Sequence, residues 1–211
     1  MDLGYDYCLK FVVIGEACSG KTSFVSRICN NDFRTSYEPT IGVEFNSMLT
    51  KYKDYILKIQ FWDTAGDKCF APIVKTYYKN VAGIYLVLDL TCRNSVRKLQ
   101  YWFKEINENK SENVEFKLFV IGNKCLSKKR LVSKEEIEDI LKPRNIDYVE
   151  VSALNNENVL EVNDKMIEHI FNNFDVDNHR GIRSAKQEII KLREKNNENE
   201  NEKDRFCCCI C

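Results

Sequence analysis

Residues Gly15-Glu16-Ala17-Cys18-Ser19-Gly20-Lys21-Thr22 match the pattern G-x-x-x-x-G-K-[ST], which forms a loop around phosphate groups. The apolar run Leu9–Ile14 before this loop predicts a strand, and the stretch Lys21–Cys29 after it predicts a helix. Backbone N–H groups of such a loop and the N-terminus of the helix both point at phosphate. We expect Lys21 to reach the β- and γ-phosphates of a nucleotide and the Thr22 hydroxyl to bind Mg²⁺, a hard cation that takes oxygen ligands.

A second magnesium ligand is predicted at Asp63, in the stretch Phe61-Trp62-Asp63-Thr64-Ala65-Gly66. This carboxylate lies at the end of a predicted strand, where a side chain can reach a site at the edge of a sheet. A turn residue would occupy the same kind of position, but a phosphate loop elsewhere in the chain favours a metal-binding role.

Apolar, β-branched runs alternate with stretches of helical period, which predicts an α/β fold with a mostly parallel sheet. Polar and apolar residues alternate on both sides of Lys53-Asp54, which predicts a hairpin. The predicted strands are Leu9–Ile14, Glu44–Lys53, Tyr55–Trp62, Val81–Asp89, Phe116–Gly122 and Asp147–Val151. The predicted helices are Lys21–Cys29, Ser95–Asn109, Ser133–Leu141 and Glu157–Phe171, and Ser133 with Glu136 has the spacing of a capping box.

The length of 211 residues fits one domain with an appendage, and we place the domain at residues 1–174. From Asp175 to Cys211 the sequence is polar and repetitive, which predicts a flexible tail. Ile182, Ile189, Ile190 and Leu192 could form a short amphipathic stretch, although the composition favours a solvated segment. Basic and acidic residues number 32 each, so no net field attracts nucleic acid, and we expect no nucleic-acid partner.

Ten cysteines raise the question of disulfides, but Met1–Asp6 lacks the basic start and apolar run of a signal peptide. A reducing cytoplasm is therefore expected. Six cysteines are scattered singly at spacings that fit no zinc module, and we interpret them as small buried hydrophobes. No apolar run approaches the roughly 20 residues that span a bilayer, so membrane contact is expected to be peripheral or covalent.

Together these motifs resemble the Ras superfamily, and Tyr37-Glu38-Pro39-Thr40-Ile41-Gly42-Val43-Glu44-Phe45 resembles its Rab branch. The resemblance covers residues 8–172 and implies a P-loop NTPase (Ras-like) fold. That fold has a six-stranded, mostly parallel sheet with an antiparallel edge hairpin and helices on both faces. It also implies two switch segments, Asn31–Val43 and Asp63–Lys79, in which Thr40 contacts the γ-phosphate side through Mg²⁺ and Gly66 through its backbone N–H.

The resemblance assigns GTP or GDP as the ligand, with Phe33 against the guanine, Asn123 and Lys124 beside it, and the Ala153 N–H at the guanine oxygen. The implied metal ligands are Thr22, Thr40 and Asp63, and the implied catalytic residues are Lys21, Thr40, Gly66 and Asp67. The implied nucleotide-binding residues are Gly15, Ala17, Cys18, Ser19, Gly20, Lys21, Thr22, Ser23, Phe33, Tyr37, Thr40, Gly66, Asn123, Lys124, Ser152, Ala153 and Leu154.

Two positions depart from the family pattern. The guanine motif N-K-x-D lacks its aspartate, because Asn123-Lys124-Cys125 runs directly into Leu126 and Ser127. The glutamine that orients the attacking water is replaced by Asp67, a short carboxylate that the triphosphate repels. We expect weakened guanine selectivity and slow intrinsic hydrolysis.

The chain ends in Cys209-Ile210-Cys211, which resembles the double-prenylation signal of Rab proteins. A C-a-a-X signal on Cys208 is the alternative. Residues 175–211 contain eight basic and eight acidic side chains, so no polybasic patch assists a single lipid, and two prenyl groups on Cys209 and Cys211 are expected.

The resemblance implies a switch that regulates vesicle trafficking on the cytoplasmic face of an endomembrane, in exchange with the cytosol. Effectors are expected at Ile41–Phe45, Trp62 and Tyr77, together with an exchange factor, a GTPase-activating protein, a prenylation escort and a GDP-dissociation inhibitor. Two other functions stay open: a degenerate module that recruits effectors without cycling, and a P-loop nucleotide kinase, which the absence of an arginine-rich lid disfavours.

Overall fold

A sheet runs through the part of the chain that the computed structural model describes, which comprises residues 3–33, 35–36, 38–185 and 187–188. Its strands are β1 (Tyr7–Ile14), β2 (Val43–Tyr52), β3 (Tyr55–Thr64), β4 (Gly83–Asp89), β5 (Lys117–Asn123), β6 (Asp147–Glu150) and β7 (Ile182–Ser184). The helices are α1 (Lys21–Asn30), α2 (Ala71–Lys75), α3 (Arg93–Arg97), α4 (Leu99–Asn109), α5 (Lys134–Leu141) and α6 (Val159–Asn173).

The strand order is β2-β3-β1-β4-β5-β6, with β7 paired to β1. All neighbouring pairs along this path are parallel except β2 and β3, which form the antiparallel edge hairpin. The six predicted strands and the mostly parallel sheet are confirmed. The central strand β4 is buried at every position, as expected for a strand that is covered on both faces.

Alternate side chains of the central strands enter two separate apolar layers. Phe11 and Tyr85 pack on one face with residues of α1 and α6, such as Phe24 and Met166. Val12, Ile84 and Leu86 pack on the other face with residues of α3, α4 and α5, such as Val96, Leu99 and Ile137. The prediction of helices on both faces is therefore confirmed.

The single helix predicted at Ser95–Asn109 is wrong, because the structure has two helices that meet at Lys98. Lys98 has ψ of 0°, which departs from the α-helical value, and its ammonium donates a hydrogen bond to the carboxylate of Glu16 in the phosphate loop. The five-residue helix α2 was not predicted, since it is too short to show a helical period. Ser133 caps α5 as expected, because its hydroxyl accepts a hydrogen bond from the Glu136 N–H at 3.2 Å.

The chain returns to the sheet after α6, and the solvated segment predicted from Asp175 does not hold for residues 182–184. Strand β7 pairs antiparallel with Tyr7–Leu9 of β1, where Leu9 lies opposite Ile182. The physical reason is an open edge on β1. Strand β4 pairs with β1 only along Phe11–Ile14, so the first half of β1 lacks a partner on that side without β7. Ile182 is only 3% exposed and joins the core. Ile189, Ile190 and Leu192 lie outside the described residues.

Replacement of Ile182 with alanine tests whether β7 is part of the folded domain. We expect Ile182→Ala to lower the free energy of unfolding by about 2–5 kcal/mol, the usual cost of emptying a core position. Ile56→Ala is the matched control, because Ile56 is 45% exposed, and it should cost less than about 1 kcal/mol. Urea unfolding of both variants with saturating GDP and Mg²⁺ measures the difference, and equal small losses would place β7 outside the cooperative fold.

Candidate nucleotide-binding site

The phosphate loop between β1 and α1 has a backbone that only glycine can follow at two positions. Gly15 has φ of 140° and Gly20 has φ of 89°, both in the range that side chains disfavour. A Cβ atom on Gly15 would lie 2.3 Å from the Val87 carbonyl oxygen, and one on Gly20 would lie 2.2 Å from Asn123 Nδ2. The loop is therefore fitted closely between the ends of β4 and β5.

Lys21 lies inside this loop and is buried. Its Nζ donates hydrogen bonds to the carbonyl oxygens of Gly15 at 3.0 Å and Glu16 at 2.8 Å. Burial lowers the pKa of Lys21 to about 8, against the opposing effect of the nearby Asp63 carboxylate. A phosphate anion next to this ammonium would favour its charged form, so the position suits a triphosphate ligand.

Thr22, Thr40 and Asp63 come together, although the sequence places them in three separate segments. The Thr22 hydroxyl donates to Asp63 Oδ2 at 2.5 Å, and Thr22 Oγ1 lies 2.9 Å from Thr40 Oγ1. Asp63 is fully buried, burial raises its pKa to about 6, and its Oδ1 has no hydrogen-bond partner among the described residues. Two hydroxyls and one partly unpaired carboxylate fit Mg²⁺, which takes few protein oxygens and completes its shell with phosphates and water.

The described residues contain no cluster of three or more His, Cys, Asp or Glu side chains that could bind a metal by themselves. This agrees with the composition of the site, because Thr22 and Thr40 contribute hydroxyl oxygens and Asp63 contributes the carboxylate.

Gly66 and Asp67 follow Asp63 in the sequence, and Gly66 lies against the phosphate loop at Ala17. A Cβ atom on Gly66 would lie 2.2 Å from the Ala17 N, so the two backbones are in close contact. The Asp67 carboxylate faces solvent and accepts a hydrogen bond from the Cys69 N–H at 2.9 Å, which caps the turn at Lys68–Phe70. This hydrogen bond lowers the pKa of Asp67, which keeps the carboxylate ionised at neutral pH.

Asn123 connects the phosphate loop to the loop after β6. We call this region, which the resemblance assigns to the guanine, the base end of the site. The Nδ2 of Asn123 donates to the Ser19 carbonyl at 2.9 Å, and its Oδ1 accepts from the N–H groups of Lys124 at 2.8 Å and Ala153 at 3.3 Å. Lys124 donates from Nζ to the Asp89 carboxylate at 2.5 Å and to the Cys18 carbonyl at 3.1 Å. The structure thus brings the phosphate loop and the loop after β6 to one place, at Asn123.

Two residues at this end were missed by the sequence analysis. Arg27 of α1 donates to the carbonyl oxygens of Ala153 at 3.0 Å and Leu154 at 3.1 Å, and its guanidinium lies 6.0 Å from the Phe33 ring centroid. Asp89 accepts from the Thr91 N–H at 2.8 Å in addition to its ion pair with Lys124. Arg27 belongs to no motif, and its partners Ala153 and Leu154 are far away in sequence, so no local signal could identify it. Asp89 ends the predicted strand Val81–Asp89, and this strand-end position is the signal that could have identified it.

The remaining predicted residues surround these contacts. Ser23 follows Thr22 in α1, and Ser152 is buried, with its hydroxyl accepting from the Asn155 N–H at 3.2 Å. Leu126 and Leu154 are 58% and 62% exposed. Tyr37 lies outside the described residues.

Residues 10–172 match the family model of the Ras family, which covers the phosphate loop, both switch segments and the base end. This chain belongs to the Ras family. The chain is 36% identical over 162 residues to the Ras-related protein Rab-13 of Rattus norvegicus, which covers 76% of this chain and 79% of the relative. It is 38% identical over 157 residues to Rab-1 of Theileria parva (74% and 70%) and 33% identical over 156 residues to SEC4 of Candida albicans (74% and 73%).

These relatives identify the chain as a Rab-like small GTPase, an enzyme that hydrolyses GTP. The Ras family binds GTP and GDP together with Mg²⁺. Rab proteins in general have effectors, exchange factors, GTPase-activating proteins and GDP-dissociation inhibitors.

Proposed function

We propose that this chain is a membrane-anchored switch of vesicle trafficking that recruits effectors in its GTP state and hydrolyses GTP slowly by itself. The observation that carries the proposal is the contact of Thr22 with both Asp63 and Thr40. Thr22 belongs to the phosphate loop, whereas Thr40 and Asp63 belong to the two switch segments. A ligand that binds at Thr22 therefore biases both segments at once.

In this mechanism the loop N–H groups and Lys21 would bind the phosphates, and Thr22, Thr40 and Asp63 would hold the metal. Mg²⁺, when bound, neutralises part of the phosphate charge. Gly66 supplies its backbone N–H on the γ-phosphate side, where its contact with Ala17 holds the second switch segment against the phosphate loop. Loss of the γ-phosphate would release Thr40 and Gly66, and this release is the conformational signal.

The switch signal reaches an aromatic surface formed by Phe45, Trp62 and Tyr77. The ring centroids of Phe45 and Trp62 lie 5.0 Å apart, and those of Trp62 and Tyr77 lie 4.8 Å apart. Trp62 directly precedes the metal-side Asp63, and the exposed Ile41 directly follows Thr40. An effector that binds Ile41–Phe45, Trp62 and Tyr77 would therefore sense the same residues that the nucleotide orders.

Slow intrinsic hydrolysis is proposed because Asp67 is poorly suited to orient water. Its carboxylate is ionised, caps the turn at Lys68–Phe70, and would be repelled by a triphosphate. A GTPase-activating protein that inserts its own glutamine and arginine could still stimulate the reaction.

Replacement of Asp67 with glutamine tests this proposal. We expect Asp67→Gln to accelerate single-turnover GTP hydrolysis by about tenfold or more, which corresponds to about 1.4 kcal/mol of barrier. Asp67→Asn is the matched control, because it removes the charge but keeps the short side chain, and it should recover little of the rate. GTP affinity should stay the same in both variants. An unchanged rate in Asp67→Gln would show that Asp67 does not limit the reaction.

A second candidate function is a nucleotide-locked module that recruits effectors without cycling. The observation that favours it is that position 67 is an aspartate and not an amide, and that its carboxylate is engaged by the Cys69 N–H. Complete absence of turnover in the parent and in Asp67→Gln, with bound nucleotide retained, would favour this module over the switch.

Membrane anchoring is proposed through Cys209 and Cys211, which lie outside the described residues. Among the residues that the structure describes, no helix combines the length and apolar character that crossing a bilayer requires. Two prenyl groups would give stable attachment where one gives only marginal binding. An escort for prenylation and a GDP-dissociation inhibitor would then move the protein between the cytosol and the cytoplasmic face of an endomembrane.

Mass spectrometry of the protein from a eukaryotic host tests the double anchor. We expect two prenyl groups on the parent and one on Cys209→Ser or Cys211→Ser, with loss of stable membrane retention in both variants. Cys208→Ser is the control and should keep both groups. One modified cysteine in the parent would refute the double anchor, and loss of all lipid in Cys208→Ser would favour the C-a-a-X alternative.

A further inference from the structure

The base end of the nucleotide site offers few hydrogen-bonding groups that a base could use. We propose that this site selects its ligand by the phosphates and Mg²⁺ and not by the base, so that adenine and xanthine nucleotides bind about as well as guanine nucleotides. The proposal rests on the proposed function, because it requires the phosphate and metal half of the site to bind nucleotide.

Selection of guanine needs an acceptor for two donors. Guanine presents its ring N–H and its exocyclic amino group side by side, whereas adenine presents an acceptor and a donor on that edge, and a carboxylate can accept both guanine donors. The segment after Lys124 continues as Cys125, Leu126 and Ser127, and it contains no carboxylate before Glu135. Leu126 is 58% exposed and carries no polar side-chain atom.

Several polar groups that border this end already have protein partners. Asn123 uses one of its two amide N–H groups for Ser19 and its amide oxygen for Lys124 and Ala153. The Ala153 N–H, which the resemblance assigned to the guanine oxygen, therefore faces Asn123 Oδ1 at 3.3 Å. The hydroxyl of Ser127 accepts from the Lys129 N–H at 3.2 Å.

Asp89 is a carboxylate at this end, but it is also occupied. Its Oδ2 accepts from Lys124 Nζ at 2.5 Å, and its Oδ1 accepts from the Thr91 N–H at 2.8 Å and the Thr91 hydroxyl at 2.6 Å. Use of Asp89 by a base would break contacts that hold Lys124 against the phosphate loop at Cys18. Asp89 thus cannot replace the missing acceptor without cost.

The side chains that the resemblance and the motif positions assign to the base are largely apolar. They are the Phe33 ring, the methylenes of Lys124, and the side chains of Leu126 and Leu154, both of which are exposed. Such surfaces contact every purine by dispersion and burial of apolar area, which do not depend on the hydrogen-bonding edge. Because the segment after Lys124 supplies no carboxylate to accept the guanine donors, the site does not reject an analogue that lacks those donors through an unpaired acceptor.

Competition binding with the full-length protein tests the proposal. Dissociation constants for GDP, ADP and xanthosine diphosphate are measured in Mg²⁺ against a fluorescent GDP. We expect the three constants to agree within about tenfold. Binding of GDP that is about a hundredfold tighter than that of ADP would overturn the proposal but leave the proposed function intact. Failure of all three nucleotides to bind would overturn both.

Two variants that restore an acceptor provide the second test: Leu126→Asp, and insertion of an aspartate between Cys125 and Leu126. We expect at least one of them to increase the preference for GDP over ADP by about tenfold to a hundredfold, the range for satisfying one or more buried donors. Leu131→Asp is the matched control, because Leu131 follows in the same segment, is 53% exposed, and should leave the ratio unchanged. If neither variant exceeds this control, base selection does not depend on the missing carboxylate, and the proposal fails.

Discussion

The hydrogen bond from Thr22 to the buried Asp63 is the interaction on which the rest of the site depends. It joins the start of α1 to the end of β3, and Thr40 contacts the same hydroxyl. The sheet brings these residues together, because β1 and β3 are parallel neighbours in which Val13 lies opposite Asp63. A side chain at the carboxyl end of β3 therefore reaches the loop that leaves the carboxyl end of β1, which is the usual place for ligands in parallel sheets.

This arrangement costs stability in the absence of a cation. Burial raises the pKa of Asp63 to about 6, and its second oxygen is unpaired among the described residues. An unsatisfied buried polar group costs about 1–3 kcal/mol. A bound cation would offset that cost, so the same carboxylate that destabilises the free site would favour the metal-bound, nucleotide-bound form.

The two halves of the site differ in how far they could be predicted. The phosphate half follows from local rules: a glycine-rich loop, a lysine and a threonine between an apolar strand and a helix. The base half depends on distant contacts, such as those of Arg27 with Ala153 and Leu154. The sequence identified Leu126 and Leu154 as motif positions. It could not predict that the amide nitrogen and the amide oxygen of Asn123 both make hydrogen bonds within the protein.

The fold shows the same division. Continuous apolar runs predicted β1, β4 and β5 within two residues at each end, because burial on both faces leaves a local signature. The break between α3 and α4 lies at Lys98, whose side chain contacts Glu16 in the phosphate loop. Strand β7 pairs with the open edge of β1. Both features arise from tertiary contacts that no local pattern encodes.

The release rate of a fluorescent nucleoside diphosphate, with Mg²⁺ and with a chelator, tests the central role of Thr22 most directly. Chelation should accelerate release from the parent and from Thr22→Ser, which keeps the hydroxyl, by about tenfold or more. Thr22→Val keeps the shape but loses the hydroxyl, so its release should be fast in both conditions. A full magnesium effect in Thr22→Val would contradict the account, because the metal would then be held without the contact that joins the phosphate loop to both switch segments.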